Sequence, residues 1–307
     1  MTHVWRLGVI GLGKITQDQH LPVIAANPHV QLVAVASQRG LSVPGARAVR
    51  TPEELLALPE VDAVAICTPP QVRHGIARAA LAAGKHVLLE KPPAAVTTAL
   101  FDLQAQAAQA RRVLMTTWHS QHNAAVDAAR DLMAGRQIAR LAVQWREDVR
   151  KWHPGQHWIF EAGGFGVFDP GINALSILTK IMPNPLILRE AVLEVPQNAQ
   201  APIAARLVFE GADHTAVFDW REQGREVWDI EVDIAGGPKL HLADGGTRLL
   251  VDGVEKVTEP MHEYQAIYAE FVTLLDAGRS KVDAAPLLLA ADAFLIGRRV
   301  ALPAFEM

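Results

Sequence analysis

Three observations predict an α/β chain whose N-terminal half is a doubly wound parallel sheet and whose C-terminal half is an α+β domain on a large open, mostly antiparallel sheet. Apolar, β-branched runs alternate with helically spaced segments over the first 117 residues. A glycine turn, Gly11-Leu12-Gly13, separates the first of these runs from the first helical segment. After Trp118 the pattern changes to a succession of period-two runs. That change of period sets the expected domains at 1–117 and 118–307, with no repeat or low-complexity linker between them.

In chain order, residues 6–10 are a short apolar strand, and helical spacing holds over 16–27. Residues 31–36 and 61–67 suit strands covered on both faces, with a short helix over 52–58 between them. A helix over 71–83 stops at Gly84 before a strand at 86–90; a helix over 97–112 and a strand over 113–117 follow. Beyond Trp118, a helix over 123–134 leads into alternating runs at 141–147, 186–195, 203–209, 215–220 and 227–234, with little helix between them. Gly236-Gly237 and Gly245-Gly246 supply hairpin-type turns. Helical spacing returns over 261–277 and 286–300, and the last helix is expected to pack back on the first domain.

Composition excludes several classes of function. Of 307 residues, 50% are hydrophobic and 20% charged, close to average globular usage, so a disordered chain is excluded. Balancing 29 Lys and Arg against 33 Asp and Glu leaves a net charge of -4 with no long basic run, which argues against nucleic acid as a partner. The single cysteine, Cys67, can form neither an internal disulfide nor a thiolate cluster, and at the end of a buried strand it reads as a small hydrophobe. The apolar stretch 286–297 is too short to span a membrane and carries Asp292, and the N-terminus lacks a basic leader and a cleavage site. A cytoplasmic protein with no membrane partner is expected.

The turn Gly11-x-Gly13-x-x-Thr16, which includes Lys14 and Ile15, lets backbone approach a pyrophosphate at the positive end of a helix. The acidic residue that would bind the adenosine ribose of NAD is missing: the second strand ends in Ser37-Gln38-Arg39. A hydroxyl and a guanidinium suit a 2'-phosphate, so NADP is expected to match or exceed NAD. Glu90-Lys91-Pro92 falls at the C-terminal end of a strand, the edge where open parallel sheets bind ligands. Trp118, Trp145, Trp152 and Trp158 interleave with His119, Glu147, His153 and His157, and aromatic faces beside polar groups suit a sugar ring. Pro154-Gly155 breaks any helix that would pair His153 with His157 on a metal, so no metal site is expected.

Gly11-x-Gly13, Thr68-Pro69-Pro70, His74 and Glu90-Lys91-Pro92 together resemble the Gfo/Idh/MocA family of oxidoreductases over essentially the whole chain. The resemblance implies a dinucleotide-binding Rossmann domain in which Thr68, Pro69, His74, Glu90 and Lys91 join the cofactor site, and in which Lys91 reaches the reacting carbon's oxygen. The family's second signature is a Gly-Gly turn, then an Asp, then a His four residues on; here it reads Gly163-Gly164, Asp169 and Asn173. Asn cannot take a proton, so that duty moves to Asp169, Lys91 or a bound water. Segments 117–119, 145–158 and 168–173 resemble the branch of aldose 1-dehydrogenases acting on L-arabinose and D-galactose. That likeness implies a sugar substrate and a pocket lined by His119, Glu147, Trp152, His153, Asp169 and Asn173, with Lys91, Asp169 and Asn173 carrying the chemistry. A silent sugar and dinucleotide sensor, and a dehydrogenase of another sugar or a cyclitol, are the alternatives. A homo-oligomer formed through the open sheet is expected.

Overall fold

The computed structural model describes residues 3–260 and 262–307, and every structural statement below concerns these. The chain divides into two compact units. The first comprises the chain up to Thr117 together with Tyr264–Ala284; the second comprises Trp118–Glu263 and Ala285–Met307.

The first unit runs β1 (Trp5–Ile10), a π-turn (Thr16–His20), α1 (Leu21–Ala26), β2 (Val30–Ala36), β3 (Arg47–Val49), α2 (Pro52–Leu56), β4 (Ala63–Ile66), α3 (Pro70–Ala82), β5 (His86–Leu89), α4 (Thr97–Ala110) and β6 (Leu114–Thr116). The strands form one parallel sheet in the order β3-β2-β1-β4-β5-β6. Connections leave β1 in one direction and resume at β4 in the other, so the crevice at the carboxyl ends of β1 and β4 is the switch point where such sheets bind ligands. β4 is buried along its whole length, as its unbroken Ala-Val-Ala-Ile run requires of a central parallel strand. Thr51 caps α2 in a reciprocal box with Glu54. β3 was not expected, because three residues on a sheet edge carry no readable period.

Residues 264–284 correct the expected division. Sequence assigns them to the second domain, yet Tyr264, Ile267, Tyr268, Phe271, Leu274 and Leu275 are buried in one cluster with Leu7, Val9, Ala65 and Leu88. The segment then reaches the sheet edge, where Lys281 exchanges backbone hydrogen bonds with Leu114 and Thr116. The final helix, expected on the first domain, instead belongs to the second unit, where the Phe294 ring lies 5.2 Å from that of Phe168.

The second unit contains α5 (Ala124–Met133), β7 (Ile138–Arg146), α6 (Val149–Trp152), α7 (Phe168–Ile181), β8 (Leu188–Pro196), β9 (Ala204–Phe209), β10 (His214–Asp219), β11 (Val227–Ile234), β12 (Lys239–Ala243), β13 (Arg248–Val251) and β14 (Val254–Thr258). The helix α8 (Glu263–Ala277) begins here at Glu263 and continues in the first unit; α9 (Ala285–Ile296) and β15 (Arg298–Leu302) complete the second. The expected start of α8 at Met261 lies outside the described residues. Nine strands form an open sheet in the order β14-β13-β12-β11-β7-β10-β9-β8-β15. It is mostly antiparallel; β7 with β10 and β8 with β15 are the parallel pairs. Leu141, Val143 and Trp145 of β7 point inward and their neighbours outward, the alternation that identified the strand.

Three differences from expectation have local causes. α7 runs from Phe168 to Ile181 between β7 and β8, longer than the helix that the family signature implied around Asp169 and Asn173. β12, β13 and β14 are short, and β14 is mostly exposed, so their period is weak beside the turns at Gly236-Gly237 and Gly245-Gly246 that were read. The last helix stops at Ile296, and Arg298–Leu302 pairs with β8 as a strand, because an edge position tolerates the exposed arginines that a helix reading absorbed.

Candidate active site

The cofactor crevice of the first unit starts at Gly11, whose φ of +97° is left-handed and whose absent side chain would lie 3.0 Å from the backbone of Cys67 and Thr68. Thr16, which replaces the usual small third residue, is fully buried and donates its hydroxyl to the Gly11 carbonyl at 2.7 Å, bracing the turn from inside. Around Gly13 a Cβ would meet nothing within 4 Å, so this glycine leaves space rather than packing against protein. At the neighbouring strand end the Thr68 hydroxyl is buried without a hydrogen-bond partner. An open cradle over a glycine turn and a buried hydroxyl lacking a partner fit a dinucleotide's pyrophosphate arm.

The remaining cofactor candidates are distributed around this turn. Lys14 pairs with Asp18 on the surface and Ile15 is exposed. Ser37 is buried at the end of β2, and Arg39 donates to the Leu12 carbonyl at 2.7 Å, which ties its guanidinium to the glycine turn. Arg50, missed in the sequence, donates to the Gln38 carbonyl at 3.2 Å from the strand β3 side. Pro69 precedes α3; His74 on that helix contacts Asp102 of α4 at 2.7 Å, a hydrogen bond that holds Asp102 below the usual carboxylate range.

Glu90 and Lys91 leave the end of β5. The Glu90 carboxylate is buried: one oxygen accepts from the Tyr264 hydroxyl at 2.7 Å and lies 3.1 Å from His20 Nε2, and the other accepts the Lys91 backbone N–H at 2.7 Å. Arg73, buried on α3, donates to the backbone carbonyls of Thr68, Glu90 and Pro92 and so grips the chain on both sides of Lys91. His20 is bonded at Nδ1 to the Tyr268 hydroxyl at 2.8 Å. Burial would lower the His20 pKa, but Cys67, Tyr268 and Glu90 facing it outweigh that and hold it well above the ordinary value. Burial pushes the Tyr268 hydroxyl up to about 12. His20, Arg73, Tyr264 and Tyr268 are the members of this cluster that sequence missed.

In the second unit, the Gly163-Gly164 turn exists because a side chain at Gly164 would lie 2.4 Å from the Ile159 carbonyl. α7 then begins at Phe168, with Pro170 in its first turn, where no backbone donor is needed. Asp169 and Asn173 are therefore one helical turn apart; Asp169 is buried and Asn173 half-buried. The structure brings His153 to Asp169, Nε2 to Oδ2 at 3.3 Å, and leaves the buried His153 Nδ1 without a hydrogen-bond partner. The His153 ring packs edge-on against Trp220 at 5.2 Å.

Glu147, at the end of β7, accepts from the indole N–H groups of Trp220 at 3.0 Å and Trp228 at 2.9 Å. Trp152 packs on Trp228 at 5.8 Å and donates to Glu226 at 2.6 Å. Glu147, Trp152, His153 and Asp169 are thus linked through Trp220 and Trp228, which sequence did not assign. Trp118 and Trp145, only 3% and 4% exposed, belong to the core rather than to an aromatic face. His119 makes a separate group: Glu263 accepts from its Nδ1 at 2.8 Å and from Asn123 at 2.8 Å. Burial would raise the Glu263 pKa, but the His119 charge and the bonds from His119, Asn123 and Ser120 hold it low. Among the described residues no helix is long and apolar enough to cross a membrane.

Residues 5–118 match the model of the Gfo/Idh/MocA oxidoreductase family, described as an NAD-binding Rossmann fold. The chain is 46% identical over 306 residues to a galactose 1-dehydrogenase of Pseudomonas fluorescens, covering 98% of both chains. A crystal structure of a D-galactose-1-dehydrogenase protein from Rhizobium etli superimposes with a TM-score of 0.93 at 47% identity, covering 100% of this chain and 99% of that one. A dTDP-3,4-didehydro-2,6-dideoxy-alpha-D-glucose 3-reductase of Streptomyces violaceoruber is 30% identical over 94% of this chain and 92% of its own. The chain belongs to the Gfo/Idh/MocA family of oxidoreductases, with a nicotinamide dinucleotide as the cofactor of its Rossmann unit.

Proposed function

We propose that this protein is an NAD(P)-dependent aldose 1-dehydrogenase that oxidises C1 of pyranose D-galactose or L-arabinose to the lactone. The observation that carries the reading is the pairing of His153 with Asp169 beside the Trp220, Trp228 and Trp152 rings, a carboxylate and imidazole set in an aromatic wall. The galactose 1-dehydrogenase relative, alike over nearly the full chain, supports the same substrate class. L-arabinose is D-galactose without its exocyclic carbon, so a pocket open at that point accepts both.

A nicotinamide dinucleotide held over the Gly11–Gly13 turn and Thr68 would supply the hydride acceptor for C1. Lys91, its backbone fixed by Glu90 and Arg73, presents an ammonium that polarises the C1 hydroxyl. The hydroxyl proton passes to Asp169, whose Oδ2 lies 3.3 Å from His153 Nε2. Asn173 holds the hydroxyl by hydrogen bonding and takes no proton. Ser37 and Arg39, with no carboxylate after β2, support NADP at least on a par with NAD.

Two further parts of the reading are a cytoplasmic location and a homo-oligomer that covers the outward face of the nine-stranded sheet, testable by light scattering. The primary test mixes the protein with NADP or NAD and a panel of aldoses and follows absorbance of the reduced cofactor. Reduction confined to galactose- and arabinose-configured sugars is expected; no reduction with any aldose and either cofactor refutes the proposal.

A further inference from the structure

We propose that His20 and Glu90 are positioning residues for Lys91: His20 orients the buried Glu90 carboxylate, whose second oxygen fixes the peptide N–H of Lys91. This inference rests on the proposed role of Lys91 and deepens it. The contacts run unbroken from His20 through Glu90 to the backbone of Lys91. His20, 1% exposed, contacts Glu90 Oε1 through Nε2 at 3.1 Å, and the Tyr264 hydroxyl donates to the same oxygen at 2.7 Å. Glu90 Oε2 is thereby turned to the Lys91 N–H at 2.7 Å. A carboxylate only accepts, so His20 Nε2 carries a hydrogen and donates.

Burial makes this arrangement stringent. A carboxylate that is 3% exposed must have its lone pairs satisfied, and each missing partner leaves a desolvated charge. His20 also meets three further groups of the set. Its Nδ1 meets the Tyr268 hydroxyl at 2.8 Å, its ring lies edge-on to Tyr264 at 4.8 Å, and the Cys67 thiol lies 3.7 Å from Nε2. The groups facing it are therefore Glu90, Tyr264, Tyr268 and Cys67, and together they raise the His20 pKa well above its ordinary value despite burial. Buried polar networks of this kind define one geometry when every member is satisfied.

The test uses the full-length protein labelled with nitrogen-15, as wild type, His20→Leu, His20→Gln and Glu90→Gln. The first readout is the Lys91 amide proton shift in cofactor-free protein, which reports the hydrogen bond to Glu90 and needs neither sugar nor turnover. His20→Leu and Glu90→Gln should move it upfield. His20→Gln should leave it near wild type, because the glutamine amide can donate to Glu90 while its carbonyl accepts from Tyr268. The second readout separates binding from chemistry: His20→Leu should lower kcat about tenfold or more, the cost of a small misplacement of a reacting group, with cofactor Kd by fluorescence within about twofold. His20→Gln should recover most of that loss. An unmoved Lys91 amide in Glu90→Gln, or a His20→Gln protein as impaired as His20→Leu, overturns the inference. Should His20→Leu fail to fold, His20→Gln and Glu90→Gln decide through the amide shift. Failure of the wild type to oxidise any aldose would count against the proposed function and leave the amide readout standing.

Discussion

Glu90 in the first unit and Glu147 in the second are both buried carboxylates at the end of a strand, yet they are held by different chemistry. The partners of Glu90 include an imidazole and a phenol, groups that exchange protons, together with the peptide N–H of Lys91. Glu147 accepts from two indole N–H groups, which do not titrate. The first arrangement ties a carboxylate to the backbone of the adjoining lysine. The second uses a carboxylate to fix the orientation of two large rings, one of which carries His153 and through it Asp169. The same residue type thus holds a backbone N–H in one unit and two aromatic rings in the other, and its partners decide which.

The sharpest way to break this comparison is Lys91→Ala, which should lower kcat by about 10^3 while changing cofactor Kd only a few fold, because the ammonium matters most as negative charge develops on oxygen. Lys91→Arg should not restore it, since a planar fork needs different geometry. Steady-state rates beside fluorescence titrations check both. Next in size is Asp169→Asn, expected to slow hydride transfer about 10^2-fold with sugar affinity partly kept. Asn173→Ala should act mainly through KM. Single turnovers with C1-deuterated sugar distinguish the two.

Glu147→Gln removes one acceptor from the buried Trp220 and half-buried Trp228 indoles and should cost about 2 kcal/mol of stability, read from urea unfolding, with a smaller effect on kcat than Asp169→Asn. An unchanged unfolding midpoint would show that Glu147 does not anchor the rings. Ser37→Asp should shift the NADP to NAD ratio of kcat/KM about tenfold towards NAD, by repulsion of a 2'-phosphate. A wild type that strongly prefers NAD would place the 2'-phosphate reading in error.

The smallest effect concerns pH. His86 accepts the Val113 N–H at Nδ1, and burial, aided by Arg112, lowers its pKa from 6.5 to about 4. Its protonation therefore favours the unfolded chain. The His86 contribution to stability is complete above about pH 6.5, declines as pH falls towards 4 and levels off below that. Urea midpoints of wild type and His86→Gln should draw together over that interval; a constant difference would reject it.

What was legible in the sequence follows the reach of each interaction. Lys91 and Glu90 stand side by side after a buried strand, and Asp169 and Asn173 share one helical turn, so resemblance to short contiguous family motifs was enough to nominate them. His20 meets Glu90 70 residues away and Tyr268 248 residues away, and Glu147 meets its two tryptophans 73 and 81 residues on. No periodicity encodes such distances. The parallel sheet was readable because its strands are buried on both faces, whereas β3 and β12 to β15 are short or exposed strands whose pairing depends on neighbours rather than on their own pattern.

The path of α8 has a consequence for how the protein is made. Its apolar side completes the core around β1 and β4, yet it is encoded after the entire run from β7 to β14. During synthesis, which proceeds at roughly 5–20 residues per second, the nascent nucleotide-binding half must wait with Leu7, Val9 and Ala65 incompletely covered until the later segment leaves the ribosome. The N-terminal portion cut at Thr117 is for the same reason a poor candidate for separate expression. A single-chain version joining residue 117 to 264–284 through a short linker is the natural way to obtain that half alone.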